Sequence, residues 1–185
     1  LIRILTMHQS DYLFAPNEWA HKNLLRMKVK GTIFQVAGNT NIDVLRYAHQ
    51  HDNIVLLPEN IQSICKKKFV IFSIHRVETI LKKNKLSKII QLVLRLSRSY
   101  EIIFTMHPPT KKQLKKFKLM GLLQNHLNIH LSNLLPYPEF IQTIKKAHFV
   151  VTDGGSIQEE SYFLNVPCLL MRHCTERIEG IGENV

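Results

Sequence analysis

Acidic residues are scarce in this chain. Against 25 Lys and Arg stand only 14 Asp and Glu, a net charge of +11 with an isoelectric point near 9.7. The balance permits nucleic acid, an acidic membrane or a phosphorylated small molecule as partner. Cysteine is scarcer still: Cys65, Cys168 and Cys174 form no paired framework. That excludes a disulfide-stapled scaffold, and the odd count fits a reducing cytoplasm. No CxxC or HxxxH spacing involves His173-Cys174 or Cys168, so their proximity in sequence does not make a metal centre. A GxSxG elbow is also missing, so Ser156, although it follows two glycines, does not mark a Ser-His-Asp hydrolase. No apolar run is long enough to cross a bilayer, and the opening Leu1–Thr6 (LIRILT) lacks the design of a signal peptide. The lysine runs at 66–68, 82–85 and 111–118 carry no interleaved aromatics of the kind that bind single strands, and read as solvated helix faces and loop ends. A first residue other than Met and an abrupt final ENV lead us to expect a piece of a longer chain.

What is present is a core. Hydrophobic residues make up 45% of the 185, and mean hydropathy is close to neutral. That suffices for one domain, or one domain and part of another. Asp11–Pro16 and Thr32–Val36 read as strands. Between them a helix capped by Asn17 runs to about Met27, with Leu24 and Leu25 facing a core. A second helix is expected from Ile42 to about Gln50, with Asp43 in its first turn. The polar, proline-containing stretch 51–59 is read as a domain boundary. From Phe69 onward strands and helices alternate. The strands are Phe69–Ile74, Glu101–Met106, Leu127–Leu131, His148–Val151 and Cys168–Met171. Helices are expected over Lys85–Ser99, from Pro109 to about Leu119 with Gly121 as terminator, over Tyr137–Ala147, and from Ser156 to about Leu164. Arg172–Gly182 is a polar loop. This alternation implies a doubly wound, Rossmann-like α/β domain with a parallel sheet covered on both faces.

The stretch Thr152–Glu160, TDGGSIQEE, organises the rest. An apolar strand, two glycines and a helix start make a tight turn whose backbone approaches a ligand closely. Either Asp153 or Ser156 can cap the helix, and its unpaired amides and dipole form an anion site suited to phosphate. Glu160 lies four residues after Ser156, on the same helix face, where its carboxylate can accept from adjacent ribose hydroxyls; Glu159 points elsewhere. Taken alone this is an ordinary βα turn. In a doubly wound sheet, however, ligands bind beyond the carboxyl ends of the strands, and His75, His107, Asp153-Gly154-Gly155 and the loop with Arg177 all fall there.

In order along the chain, GNTxID (Gly38–Asp43), HRxE (His75–Glu78), HP (His107-Pro108), PYPEF (Pro136–Phe140), TDGGSIQEE and TER (Thr175–Arg177) resemble the bacterial UDP-N-acetylglucosamine 2-epimerases. That family has the two-domain architecture of GT-B glycosyltransferases. The resemblance implies that residues 1–50 are the tail of an N-terminal α/β domain with its linker, and 51–185 a UDP-binding Rossmann-like domain truncated at its end. It implies that Phe140 contacts uracil, that Leu135 presents backbone groups to it, and that the Gly154, Gly155, Ser156 turn holds the diphosphate. It further implies that Glu160 takes the ribose hydroxyls, Arg177 reaches the phosphates, and His75 sits as a catalytic residue beside the sugar-phosphate linkage. Arg76, Glu78 and His107 are further candidates.

The family's reaction removes UDP with loss of the proton on the sugar's second carbon, then adds UDP back with the opposite configuration. Its acid-base carboxylates come from the N-terminal half, so unaided catalysis by this chain is not expected. No cofactor or metal is implied. The expected partners are UDP-GlcNAc or UDP, and a homodimer mate or a separate N-terminal half; no specific nucleic acid and no membrane are expected, and the location is cytoplasmic. The chain departs from the family pattern twice. Asp153-Gly154-Gly155-Ser156 replaces the usual Asp-Ser-Gly-Gly, and Thr79 stands where Asn usually follows HRxE. Two rivals remain open: a GT-B glycosyltransferase domain, and a non-catalytic basic nucleic-acid binder.

Overall fold

The β-branched and aromatic runs pair within two separate sheets, one of two strands and one of five, every pair parallel. A computed structural model describes residues 2–50 and 56–185. The chain divides into two units, Leu1–Tyr47 and Ala48–Val185.

The first unit begins with helix α1 (Ile2–Gln9), which sequence periodicity leaves unassigned. Strands β1 (Tyr12–Ala15) and β2 (Thr32–Gln35) pair in register, with helix α2 (Glu18–Arg26) as their crossover. Asn17 caps α2 as expected, its side chain accepting from the Ala20 amide at 2.8 Å. Of the two leucines assigned to the core only Leu24 is buried, against Leu13 and Ala15; Leu25 is exposed. Helix α3 (Thr40–Gln50) starts two residues earlier than the hydrophobic stripe suggests. Most of the expected boundary, residues 51–55, lies outside the described residues.

The second unit opens with a helix not expected from the sequence, α4 (Glu59–Cys65), which buries Ile61 and Ile64. Five strands follow: β3 (Phe69–Ser73), β4 (Glu101–Thr105), β5 (Ile129–Ser132), β6 (Phe149–Thr152) and β7 (Cys168–Leu170), in the spatial order β5-β4-β3-β6-β7. Every position of β3 and β4 is buried, which is why FVIFS and EIIFT are near-continuous apolar runs instead of alternating ones. The pleat sends Val70, Phe72, Ile102 and Phe104 to one face. There they meet Ile80 of α5 (Val77–Ile80), Leu86, Ile89, Ile90 and Val93 of α6 (Lys83–Leu96), Leu114 of α7 (Pro108–Lys116) and Leu123 of α8 (Met120–Gln124). On the other face lie α4, α9 (Tyr137–Lys146) and α10 (Gly155–Phe163), which pack among themselves. This is the doubly wound α/β fold that the alternation predicts.

Gly121 does not end the lysine-rich helix; it lies inside α8. The stop is Lys118, in the left-handed region at φ 59°, with its amide bonded to Lys115 O at 3.1 Å and that of Leu119 to Leu114 O at 2.9 Å. Those two bonds form a Schellman cap, and its geometry holds a lysine where glycine is usual.

Candidate functional site

Strand order reverses between β3 and β6. From β3 the chain winds outward through β4 to β5, and β6 then starts on the other side and leads to β7. The crevice beyond the ends of β3 and β6 is therefore the switch point of the sheet. His75 and Arg76 stand at the end of β3, and Asp153 and Gly154 at the end of β6.

Asp153 ties the two loops together. Its carboxylate is fully buried and accepts from the amides of His75 and Arg76, each at 3.0 Å. This corrects the capping expectation: neither Asp153 nor Ser156 caps α10, whose N-cap is Gly154 with no side-chain bond. Two partly buried amides across the crevice take Asp153 as their acceptor. No side-chain acceptor is left for the helix start, so its first-turn amides remain as donors for a ligand. Thr152 completes the tie, donating to Ser73 O and accepting from the Gly154 amide, both at 2.9 Å.

The two glycines are needed for close approach. A Cβ on Gly154 would come within 2.8 Å of His75 Cε1, and one on Gly155 within 2.8 Å of Arg177 Nε. Where the resemblant family usually has serine, this chain packs the His75 ring against bare backbone. That ring stacks on His107 at 4.5 Å between centroids, and His107 Nε2 lies 2.9 Å from Ser73 Oγ. Burial, aided by the neighbouring His75, holds His107 down to about 4, so it is neutral at neutral pH.

Glu159 is not turned away from the site as the helix spacing suggests. It forms an ion pair with Arg177. Helix α10 is buried at every position from Ile157 to Ser161, so it has no idle face on which Glu159 could be spent. Gln158, fully buried, is a residue the sequence reading missed. Its Nε2 donates to Arg177 O at 3.1 Å and Glu179 O at 3.0 Å, and its Oε1 accepts from Thr175 Oγ1 at 3.0 Å. It fixes the polar 172–182 loop that carries Arg177 across the glycine turn.

Two cavities flank this turn, and all eleven residues singled out in the sequence line one or the other. A cleft of about 410 Å³ takes His75, Arg76, Glu78, Gly154, Gly155, Ser156 and Arg177. A narrower cavity of about 200 Å³ takes His107, Leu135, Phe140 and Glu160, together with Tyr137 and Ile157. In the cleft, Arg76 pairs with Glu78 at 2.9 Å. In the narrower cavity, burial raises the Glu160 carboxyl to about 7; the Tyr137 hydroxyl and Arg177 pull it down and Glu159 pushes it up. The Tyr137 hydroxyl is the group that reaches the Glu160 carboxyl, and Glu160 Oε2 is buried from solvent. Tyr137 was missed because a tyrosine between two prolines reads as helix-start packing. Only the return of α10 beside α9 brings it to the carboxylate.

An open parallel α/β sheet, an uncapped helix start behind two glycines at the switch point, and an adjoining cavity with a buried carboxylate define the chain as a ligand-binding domain of the doubly wound class. Its relatives specify it further. A family profile described as UDP-N-acetylglucosamine 2-epimerase matches residues 1–185, and the chain belongs to that family. It is 35% identical to the UDP-N-acetylglucosamine 2-epimerase of Methanocaldococcus jannaschii, over 99% of this chain and 52% of that protein. To the enzyme of the same name from Methanococcus maripaludis it is 34% identical, over 98% of this chain and 51% of that one. A crystal structure of the M. jannaschii enzyme in complex with UDP-GlcNAc and UDP superposes with a TM-score of 0.86, covering 97% of this chain and 50% of that one. The Neisseria meningitidis enzyme bound to UDP-GlcNAc gives 0.77 at 28% identity, covering 97% and 49%. The chain thus spans about half the length of the relatives it matches, and membership of this family displaces both the glycosyltransferase and nucleic-acid readings as the primary one.

Proposed function

We propose that the chain is the UDP-holding portion of a UDP-N-acetylglucosamine 2-epimerase, which interconverts UDP-GlcNAc and UDP-ManNAc. Residues 1–50 are assigned to the end of an N-terminal α/β domain and its linker, and 51–185 to the UDP-binding domain. One observation carries this reading. A cavity of about 200 Å³ with a buried carboxylate adjoins a cleft built on an uncapped helix start. Relatives solved with UDP-GlcNAc and UDP share the fold around both.

In this assignment Phe140 and Leu135 hold the base, and Glu160 accepts from the two ribose hydroxyls. The amides of the Gly154, Gly155, Ser156 turn and the Arg177 guanidinium hold the diphosphate. During elimination the bond from the sugar to UDP breaks as the proton on the second carbon leaves, and re-addition restores both with that carbon inverted. Charge accumulates on the departing UDP, and the turn and Arg177 are placed to stabilise it. His75, anchored to Asp153 through its amide and braced by His107, is assigned to the sugar-phosphate linkage. Proton removal is assigned to carboxylates outside residues 1–185, in the same protein or a partner copy. Three free cysteines fit a cytoplasmic protein, serving synthesis of surface polysaccharide that contains N-acetylmannosamine.

Calorimetric titration of the chain with UDP tests this. We expect saturable binding with modest salt dependence and no epimerisation by the chain alone. Glu160→Ala should weaken binding about ten- to a hundredfold, the effect of roughly 1.5–3 kcal/mol for hydrogen bonds to a charged group. A folded chain that ignores UDP, or binds it equally well without the carboxylate, would overturn the assignment.

A further inference from the structure

The positive charge of this protein is not spread over its surface. Between Val77, where α5 starts, and Pro138, eleven Lys and Arg stand against two acids, Glu78 and Glu101, so this stretch carries nine of the eleven net positive charges. Glu101 is nearly buried at the start of β4, where Lys67 and His130 hold it at 2.5 and 2.6 Å. The eleven cations belong to the layer α5–α8, which packs on one face of the sheet. Ten of them are exposed, Lys85 is half-buried, and none makes an ion pair among the described residues. On the opposite layer, Glu59, Glu139, Glu159 and Glu160 offset Lys145 and Lys146. Like charges four apart, as in Lys111 with Lys115 and Lys112 with Lys116, weaken their own helix. The fold thus holds a face of one sign at a cost that folding alone does not explain.

Three features narrow the polyanion that fits. The cations are nine lysines and two arginines, so the fork that reads phosphate and base edges is largely absent. No aromatic ring is exposed on this layer. Leucines are: Leu81 is 54% exposed, Leu122 49% and Leu127 95%. Phosphodiester backbones have no use for these leucines, whereas a bilayer takes lysines at its headgroups and leucines at the acyl boundary. Lys115, Lys116, Lys118, Leu122 and Leu127 follow one another where α7 and α8 return to the start of β5. That is the edge of the sheet opposite the ligand cleft.

We propose that the α5–α8 face is a peripheral docking surface for an anionic lipid bilayer, with the lysines engaging headgroups and Leu122 and Leu127 inserting beside them. The linear sequence pointed to no membrane partner, because the lysine runs show their common face only after the helices pack.

The test is co-sedimentation of the whole chain with vesicles of phosphatidylcholine alone or mixed with phosphatidylserine. Binding to the mixed vesicles only, reversed by salt, is expected. Neutralising Lys111, Lys112, Lys115 and Lys116 to Gln should lower the vesicle partition roughly fivefold per lysine. UDP titration of that variant should be unchanged, which shows that it folds. Leu122→Ser with Leu127→Ser should lower vesicle binding several-fold while leaving affinity for a DNA duplex unaltered. Absence of binding to anionic vesicles by the folded chain overturns the proposal. So does wild-type vesicle binding by the leucine variant together with tighter capture by duplex DNA, which would assign the face to nucleic acid.

Discussion

Glu159 and Glu160 are neighbours of identical chemistry with opposite circumstances. One is matched to Arg177, whereas the other faces the Tyr137 hydroxyl in a narrow cavity with no cation paired to it among the described residues. The consequence is a pH dependence of definite sign. Burial pushes the Glu160 carboxyl up to about 7 in the fold from about 4.5 for a free glutamate, so between those values the folded chain binds the extra proton. Its contribution to stability therefore falls as pH rises from about 4.5 to about 7 and is flat above. UDP binding runs the other way, because ribose hydroxyls donate to the ionised form. UDP affinity should climb through this window and level off above it, and Glu160→Gln should remove that part of the slope in calorimetric titrations at several pH values. Gly154 gives a second prediction at this scale. A methyl there meets the His75 ring, which is already stacked on His107, so Gly154→Ala should cost about 1–3 kcal/mol in denaturant unfolding and weaken UDP binding. Unchanged stability would mean that the ring is free to move, contrary to its packing.

At the scale of elements, the helix ends carry the departures from expectation. The sequence offers Gly121 as the terminator of the lysine-rich helix, yet Lys118 adopts the left-handed conformation and Gly121 lies inside the next helix. A lysine held there is strained by roughly 1–2 kcal/mol. Lys118→Gly should therefore stabilise the protein by about 1 kcal/mol, raising Tm by roughly 2–4 °C for a chain of this size. A lower melting temperature would show that the unfolded-state entropy of glycine dominates. Helices α1, α4 and α5 escaped the sequence reading because each is too short for the 3.6-residue period to declare itself. The strands were legible for the opposite reason. Burial on both faces makes β3 and β4 continuous apolar runs with little else to be.

For the whole molecule, what matters is where the strand order reverses and which face holds the charge. Both follow from winding. Sending β6 to the far side of β3 creates the crevice that gathers residues as distant in sequence as His75, Phe140 and Arg177. Packing α5–α8 on one face collects nine net charges there.

The sequence by itself determined the α/β alternation, the parallel sheet, and the motifs that lie at strand ends. Those are local properties: hydrophobic period, strand length, and glycines before a helix. It also singled out Glu160 and the glycine turn, since a four-residue offset on a helix can be counted. Only the tertiary structure decided that Asp153 binds the amides of the neighbouring loop instead of capping its own helix. The same is true of Glu159 answering Arg177, Gln158 holding the loop that delivers that arginine, and Tyr137 standing over the buried carboxylate. The physical reason is the same in each case. A buried polar group takes whichever partner the packing brings within reach, and that partner is set by the path of the chain through space.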